Sequence, residues 1–318
     1  MTLNLDPSLF SDTAISDETR AFNAKLEAML ADLPASHEVP PEVTRAARDE
    51  GKGIIPSGGP LDGSEWQSIP GAPGSGRVRV TEVESPDAVY LHIHGGGWTL
   101  GRPSYEDARN QRLAKEANVT VVSVEYRLAP EHTWPAQRED VLAVAQWLMA
   151  EGPARFGTRK IIIGGESAGA HLAATTALAL KWMQKLDDVV GLVLNYGVFD
   201  LTLTPSMANW GERKLILSTP TVEWFVDNLD PGGTQRESAL LSPLKADLSG
   251  LPPALFQVGT CDPLLDDTLM MSTRYTSAGN AAEVAVYPGG VHAFDAFDEL
   301  EIAQQSRARV SAFVSGLL

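Results

Sequence analysis

The chain has one cysteine, Cys261, among 318 residues. An internal disulfide is therefore excluded, and so is any thiolate-rich zinc or iron–sulfur site. Basic residues are scarce: 25 Lys and Arg stand against 41 Asp and Glu, a formal charge of −16. Nucleic acid and anionic membrane would both repel such a surface on average, which argues against either as a partner. No apolar run approaches the roughly 18 residues that a membrane-spanning helix needs. The alanine-rich stretch from Leu172 to Leu180 is too short. Met1 to Asp6 show neither a basic n-region nor an apolar h-region, so no secretory signal is visible and a cytoplasmic protein is expected. Internal repeats and low-complexity tracts are also missing.

What remains is an ordinary globular composition, 43% hydrophobic and 21% charged. Residues 1–50 read as helical, with Phe22, Leu26, Met29, Leu30 and Leu33 on one helix face that packs on the rest of the protein. Residues 51–76 are rich in Gly, Pro and Ser and read as a loop, with a short strand near Trp66. Beyond Arg77, strands alternate with helices. Strands are expected at Val78–Val83, Val89–Ile93, Val119–Val124, Ile161–Ile163, Val189–Leu194, Ala254–Val258 and Glu283–Tyr287. Helices are expected at Tyr105–Ala117, Ala136–Ala150, Ala168–Lys185, Asp266–Ser277 and Glu299–Leu317. Such alternation means parallel βα units, and the apolar central strands fit a sheet covered on both faces. Between Phe199 and Pro243 the alternation fails. This insertion, residues 200–243, is expected to lie over the C-terminal edge of the sheet, where open α/β sheets bind ligands. It would divide a core of 51–199 and 244–318.

Gly165-Glu166-Ser167-Ala168-Gly169 follows one strand and precedes an alanine-rich helix. That is the context of a G-x-S-x-G nucleophile elbow, whose sharp turn needs small residues on either side of the serine. The bland alternative is a serine that merely caps the helix. His94-Gly95-Gly96-Gly97-Trp98 ends an earlier strand. Consecutive glycines leave backbone N–H groups free to converge on one spot, which an acyl-transfer enzyme needs for its oxyanion. The Ala168 amide would add a further donor. The rival, a phosphate-cradling loop, lacks a following G-x-x-x-x-G-K-[ST] or helix-opening G-x-G-x-x-G pattern.

A serine nucleophile needs a general base, and six histidines are available. His37 precedes the sheet, His92 lies within a strand, and His94 belongs to the glycine turn, where it orders the backbone. His132 is in a proline-rich loop, and His171 shares the serine's helix. His292 follows Pro288-Gly289-Gly290-Val291 after the last strand, at the sheet edge expected for Ser167. It is the candidate base. Asp262 ends the strand before it and is held extended by Pro263, whereas Asp266 and Asp267 open the next helix as caps or dipole partners. Asp262 is therefore the candidate acid. The order Ser167, Asp262, His292 is that of α/β hydrolases, not of chymotrypsin or subtilisin.

These motifs, with Tyr126-Arg127-Leu128-Ala129-Pro130-Glu131-His132-Thr133-Trp134-Pro135-Ala136 and Asp262-Pro263-Leu264 followed by Asp266, resemble the bacterial hormone-sensitive lipase family of carboxylesterases over residues 77–318. The resemblance implies an α/β-hydrolase fold: a mostly parallel central sheet flanked by helices, with a helical cap made of residues 1–50 and the 200–243 insertion. It implies hydrolysis of short- to medium-chain esters through an acyl-enzyme, with Ser167, Asp262 and His292 catalytic and Gly96, Gly97 and Ala168 as oxyanion donors. It calls for no cofactor and no metal. Trp98, Trp210, Trp224 and Phe225 are candidate pocket residues. Family members often dimerise along the edge of the last strand, here near Glu283–Tyr287, so a homodimer is a candidate assembly. Three positions depart from the family pattern: Glu166 replaces Asp or Thr, His171 replaces asparagine, and Ala293 replaces glycine. The run Ser167 to Leu172 also resembles arylformamidases, which makes amide or formamide hydrolysis the second reading. A non-catalytic receptor on this fold is the third, disfavoured because all three candidate triad residues are present.

Overall fold

The computed structural model describes residues 5–318; Met1–Asn4, which open the segment read for a secretory signal, lie outside the described residues. Helices α1 (Asp17–Ala31) and α2 (Pro41–Asp49) come first. Strands β1 (Glu65–Ser68), β2 (Arg77–Thr81) and β3 (Ala88–Ile93) follow, then α3 (Asp107–Ala117), β4 (Val119–Val124) and α4 (Ala136–Phe156). The middle of the chain is β5 (Ile161–Glu166), α5 (Ala168–Trp182), β6 (Val189–Asn195), α6 (Pro205–Ala208) and α7 (Thr219–Leu229). The last elements are β7 (Ala254–Cys261), α8 (Leu265–Ser277), β8 (Ala282–Val291) and α9 (Glu301–Gly316).

The strands form one eight-stranded sheet in the order β1-β2-β4-β3-β5-β6-β7-β8. β2 runs antiparallel to both β1 and β4, and every later pairing is parallel. This is an α/β-hydrolase sheet. Strands β3, β4 and β5 are buried along their whole length. Their alternate residues feed two cores. Val89, Leu91, Ile93, Ile161 and Ile163 pack with α4, α5 and α8, while Tyr90, Val119, Val121 and Ile162 pack with α3 and α9. Helix α5 is buried from Ala168 to Leu180, and its alanines let it lie close to the sheet.

Three local expectations need correction. Helix α4 runs through Pro153 to Phe156 and does not stop at Ala150, because buried Phe156 packs edge-on against Trp147 at 6.3 Å. Strand β8 continues through the Pro288-Gly289-Gly290 segment to Val291, which pairs with Cys261. On α1, Leu26 and Leu30 are buried against β8, but Met29 faces solvent, and the helix ends at Ala31 so that Leu33 lies beyond it, also exposed. Among the described residues, no helix is long and apolar enough to cross a membrane.

The antiparallel edge is fastened by a buried ion pair. Arg79 on β2 donates to Asp107, which opens α3, at 2.6 Å, and to the Leu61 carbonyl at 2.9 Å. Asp107 in turn accepts the Leu61 amide at 2.8 Å. Both side chains are almost fully buried. Replacing only the cation strands a buried carboxylate, so Arg79→Met is expected to cost about 3–5 kcal/mol of stability. A lowered urea midpoint at unchanged m-value is the signature.

Candidate active site

Ser167 stands between the end of β5 and the first residue of α5, with φ 56° and ψ −119°. This is a strained backbone for any residue with a side chain. It persists because glycine flanks it on both sides. A Cβ on Gly165 would lie 2.2 Å from the Ile93 carbonyl oxygen, and one on Gly169 would lie 1.9 Å from the same atom. No other residue lets α5 approach β3 so closely.

His292, just past the end of β8, brings Nε2 to 2.9 Å from Ser167 Oγ. Its Nδ1 lies 2.9 Å from Asp262 Oδ2, at the end of β7. Asp262 Oδ1 also accepts the Leu264 amide at 2.9 Å, which fixes the carboxylate's orientation. Asp262 and His292 are buried while Ser167 is half-buried, so only the hydroxyl end of the chain of bonds meets solvent. An ionised Asp262 accepts Nδ1–H, which leaves the Nε2 lone pair facing the serine hydroxyl. The Tyr196 ring packs edge-on against the imidazole at 5.1 Å.

The glycine turn lies beside this group. Gly96, Gly97 and Trp98 all take positive φ, at 112°, 58° and 57°. A Cβ on Gly96 would sit 2.3 Å from the Leu100 carbonyl oxygen. A Cβ on Gly95 would sit 2.9 Å from the Glu166 carbonyl oxygen, so turn and elbow touch backbone to backbone. His94 stacks on Tyr126 at 4.2 Å, and its Nδ1–H donates to the Gly95 carbonyl at 2.8 Å. Burial pushes the His94 imidazole down to about 3, so it is a neutral brace of the turn. Ala168, as the first residue of α5, has no intrahelical acceptor for its amide.

The four aromatic candidates fall in different places. The Phe225 ring covers the turn closely enough that a Cβ on Gly97 would come within 2.3 Å of it, and Trp224 leans on Phe225 at 5.0 Å. Trp210 packs into the cluster beneath α1, with its N–H on the Arg213 carbonyl at 3.0 Å. Trp98 requires correction. Its indole is 1% exposed and its N–H is bonded to His171, so it supports the turn from below and offers a substrate no surface.

The chain matches the family described as α/β hydrolase fold over residues 90–296. It is 32% identical over 250 residues to an esterase of Acinetobacter venetianus, covering 76% of this chain and 80% of the relative. It is 32% identical over 210 residues to an ethyl acetate hydrolase of Pseudomonas putida, covering 65% of this chain and 66% of that protein. Among solved structures it resembles a hormone-sensitive lipase from a metagenome library, with a TM-score of 0.81 and 29% identity over 94% of this chain and 98% of that one. The chain belongs to the hormone-sensitive lipase family of α/β hydrolases, a family of carboxylic ester hydrolases.

Within that family fold, the structure also holds an ionic group that sequence reasoning missed. Glu166, directly before Ser167, accepts from His92 Nε2 at 3.0 Å and faces Arg109 Nη1 at 3.3 Å. Arg109 bridges to Asp295 at 2.6 Å, and Asp295 accepts the Tyr196 hydroxyl at 2.5 Å. Tyr196 is the residue packed on His292, so buried charges run from the back of the elbow to the imidazole. The available signal was Glu166 itself, a carboxylate ending an otherwise apolar strand and therefore in need of a cation. Its partner Arg109 could not be named from spacing. Burial alone would raise the Glu166 carboxyl, but the Arg109 cation and His92 outweigh it and hold it at about 2, against an ordinary value of 4.5. A carboxyl depressed in the folded state stabilises above its unfolded pKa and loses that contribution as pH falls toward the folded one. Glu166→Gln is thus expected to be less stable than the parent at neutral pH and to lose less between pH 4.5 and about 2. Urea midpoints of both proteins across that range test this; parallel slopes would assign the acid limb to other carboxylates.

Proposed function

We propose that this carboxylic ester hydrolase works through an acyl-enzyme on Ser167 and prefers short- to medium-chain acyl groups. One observation carries the reading: the unbroken line from Ser167 Oγ through His292 to Asp262, with 2.9 Å at each step. Ser167 attacks the acyl carbon as His292 Nε2 takes its proton. Asp262 holds the tautomer and stabilises the imidazolium. The amides of Gly96, Gly97 and Ala168 receive the oxyanion, each worth roughly 3 kcal/mol of barrier. His292 then protonates the leaving alcohol, and water repeats the cycle on the acyl-enzyme. Water, alcohol and ester exchange no electrons with the protein, so this chemistry needs no redox cofactor.

Phe225, closed down on the glycine turn, supports a small acyl site, with Trp224 behind it. The ethyl acetate hydrolase among the relatives points the same way. Trp210 stands further off and is the weakest of the pocket candidates. The reading includes a cytoplasmic location and a homodimer along β8, which ends the sheet; light scattering tests the dimer. The formamidase reading rests on the run Ser167 to Leu172 alone.

A panel of p-nitrophenyl esters from acetate to laurate, with butyranilide and N-formylkynurenine beside it, separates these readings. Turnover is expected to peak at short chains and to be far slower on both amides. Ser167→Ala should abolish ester turnover while leaving the circular dichroism spectrum intact. Asp262→Asn should lower kcat by about 10⁴-fold with little change in KM. Full turnover by either variant would remove the mechanism.

A further inference from the structure

His171 lies one turn beyond Ser167 on α5, and its backbone amide donates to the Ser167 carbonyl at 3.1 Å. Its ring is fully buried. Each ring nitrogen meets a partner on a different part of the chain. Nε2 donates to the Leu241 carbonyl at 2.7 Å, and Nδ1 accepts the indole N–H of Trp98 at 3.1 Å. An indole N–H can only donate and a carbonyl can only accept. The two bonds together therefore demand one tautomer, neutral and protonated at Nε2. Burial pushes this imidazole down to about 4, in keeping with that neutral form.

Trp98 closes the glycine turn. It takes a left-handed backbone directly after Gly97, and its carbonyl accepts the Ala129 amide at 2.9 Å. A tryptophan does not choose that conformation unaided. The His171 ring meets the indole edge-on at 5.1 Å, and Trp134 flanks the imidazole at 5.7 Å. One imidazole thus joins the helix that begins with Ala168, the turn that contains Gly96 and Gly97, and Leu241, where the chain returns from the cap insertion.

We propose that His171 is a positioning residue that sets the spacing between the two halves of the oxyanion site by holding Trp98 in its left-handed conformation. It touches no reacting atom. The proposal rests on the reading of Ser167 as nucleophile, and it concerns donor geometry alone. Donors that converge on an oxyanion act only if their placement is already correct, and a shift of about 1 Å can cost 10²-fold in rate.

The test compares His171→Gln with His171→Leu. Glutamine offers an acceptor for Trp98 and a donor for Leu241; leucine fills similar space and offers neither. The leucine variant, assayed well below its Tm, is expected to lose about 10- to 100-fold in kcat on p-nitrophenyl acetate with KM nearly unchanged. Its affinity for an aliphatic trifluoromethyl ketone, whose serine adduct carries an oxyanion, should fall in step. Glutamine should restore most of both. Trp98→Phe, which keeps an aromatic side chain but deletes the N–H along with part of the ring, provides a second route and should reproduce part of the loss. Parental kcat and ketone affinity in folded His171→Leu or in Trp98→Phe would overturn the proposal, as would a glutamine variant no better than leucine. Ser167→Ala run in parallel separates the two levels. Lost turnover there beside an unimpaired His171→Leu overturns the positioning role alone, whereas full turnover there overturns the nucleophile and this role together.

Discussion

The contact between helix α5 and the carbonyl of Ile93 is the constraint on which the site depends. Gly165 and Gly169 both face that one oxygen, at distances no Cβ could tolerate. The approach forces the strand-to-helix turn to be so tight that Ser167 must take its strained φ and ψ, at a cost of about 1–3 kcal/mol. It also places the glycine turn, because Ile93 is followed at once by His94 and Gly95, and Gly95 lies against the Glu166 carbonyl. Ser167 and the glycine turn are thus referred to each other through backbone contacts, with no side chain between them. The strain is held by the burial of α5 from Ala168 to Leu180.

Around this rigid centre the protein spends its buried charge. The surface is strongly acidic, yet the charges next to the elbow are paired: Arg109 stands between Glu166 and Asp295, with Glu106 also beside it. Burying one ion costs several kcal/mol, so such a group is stabilising only when each member keeps its partners. Geometry is what it supplies. Glu166 cannot move without breaking its bonds to His92 and Arg109, and Ser167 is its neighbour in the chain. Tyr196, fixed by Asp295, limits the tilt of His292 in the same way.

Much of this was legible in the residues, and the reason is range. Strands β3 to β6 show as apolar runs because both faces are covered, and the glycine motifs show because close approach and positive φ act within a few residues. Side-chain partners from distant segments leave no such trace. His92 and Glu166 are 74 positions apart, and Trp98 and His171 are 73. Trp98 was misread for that reason: an aromatic beside a glycine turn looks the same whether it faces a substrate or the core. Met29 and Leu33 fit a helical stripe by period, but a period says neither how far the covering surface extends nor that the helix ends at Ala31. Helix α4 passed its expected stop because the packing of Phe156 outweighs the bond that Pro153 cannot make.

Long-range side-chain bonds also tie down residues 200–243. Asp267, one turn beyond Asp262, accepts the amides of Phe199 and Asp200 and the hydroxyl of Thr204 at 2.6–3.0 Å. Burial pushes its carboxyl up to about 7, against the three donors that pull it down. The chain entering the insertion is therefore tied to the start of α8, immediately after the carboxylate that faces His292. The chain leaving it is tied as well, since Ser242 accepts the Leu201 amide at 2.9 Å and His171 holds Leu241. Both ends of the 200–243 segment are thus bonded to α5 and α8, and Ser206 adds bonds to Asp266 and Pro263.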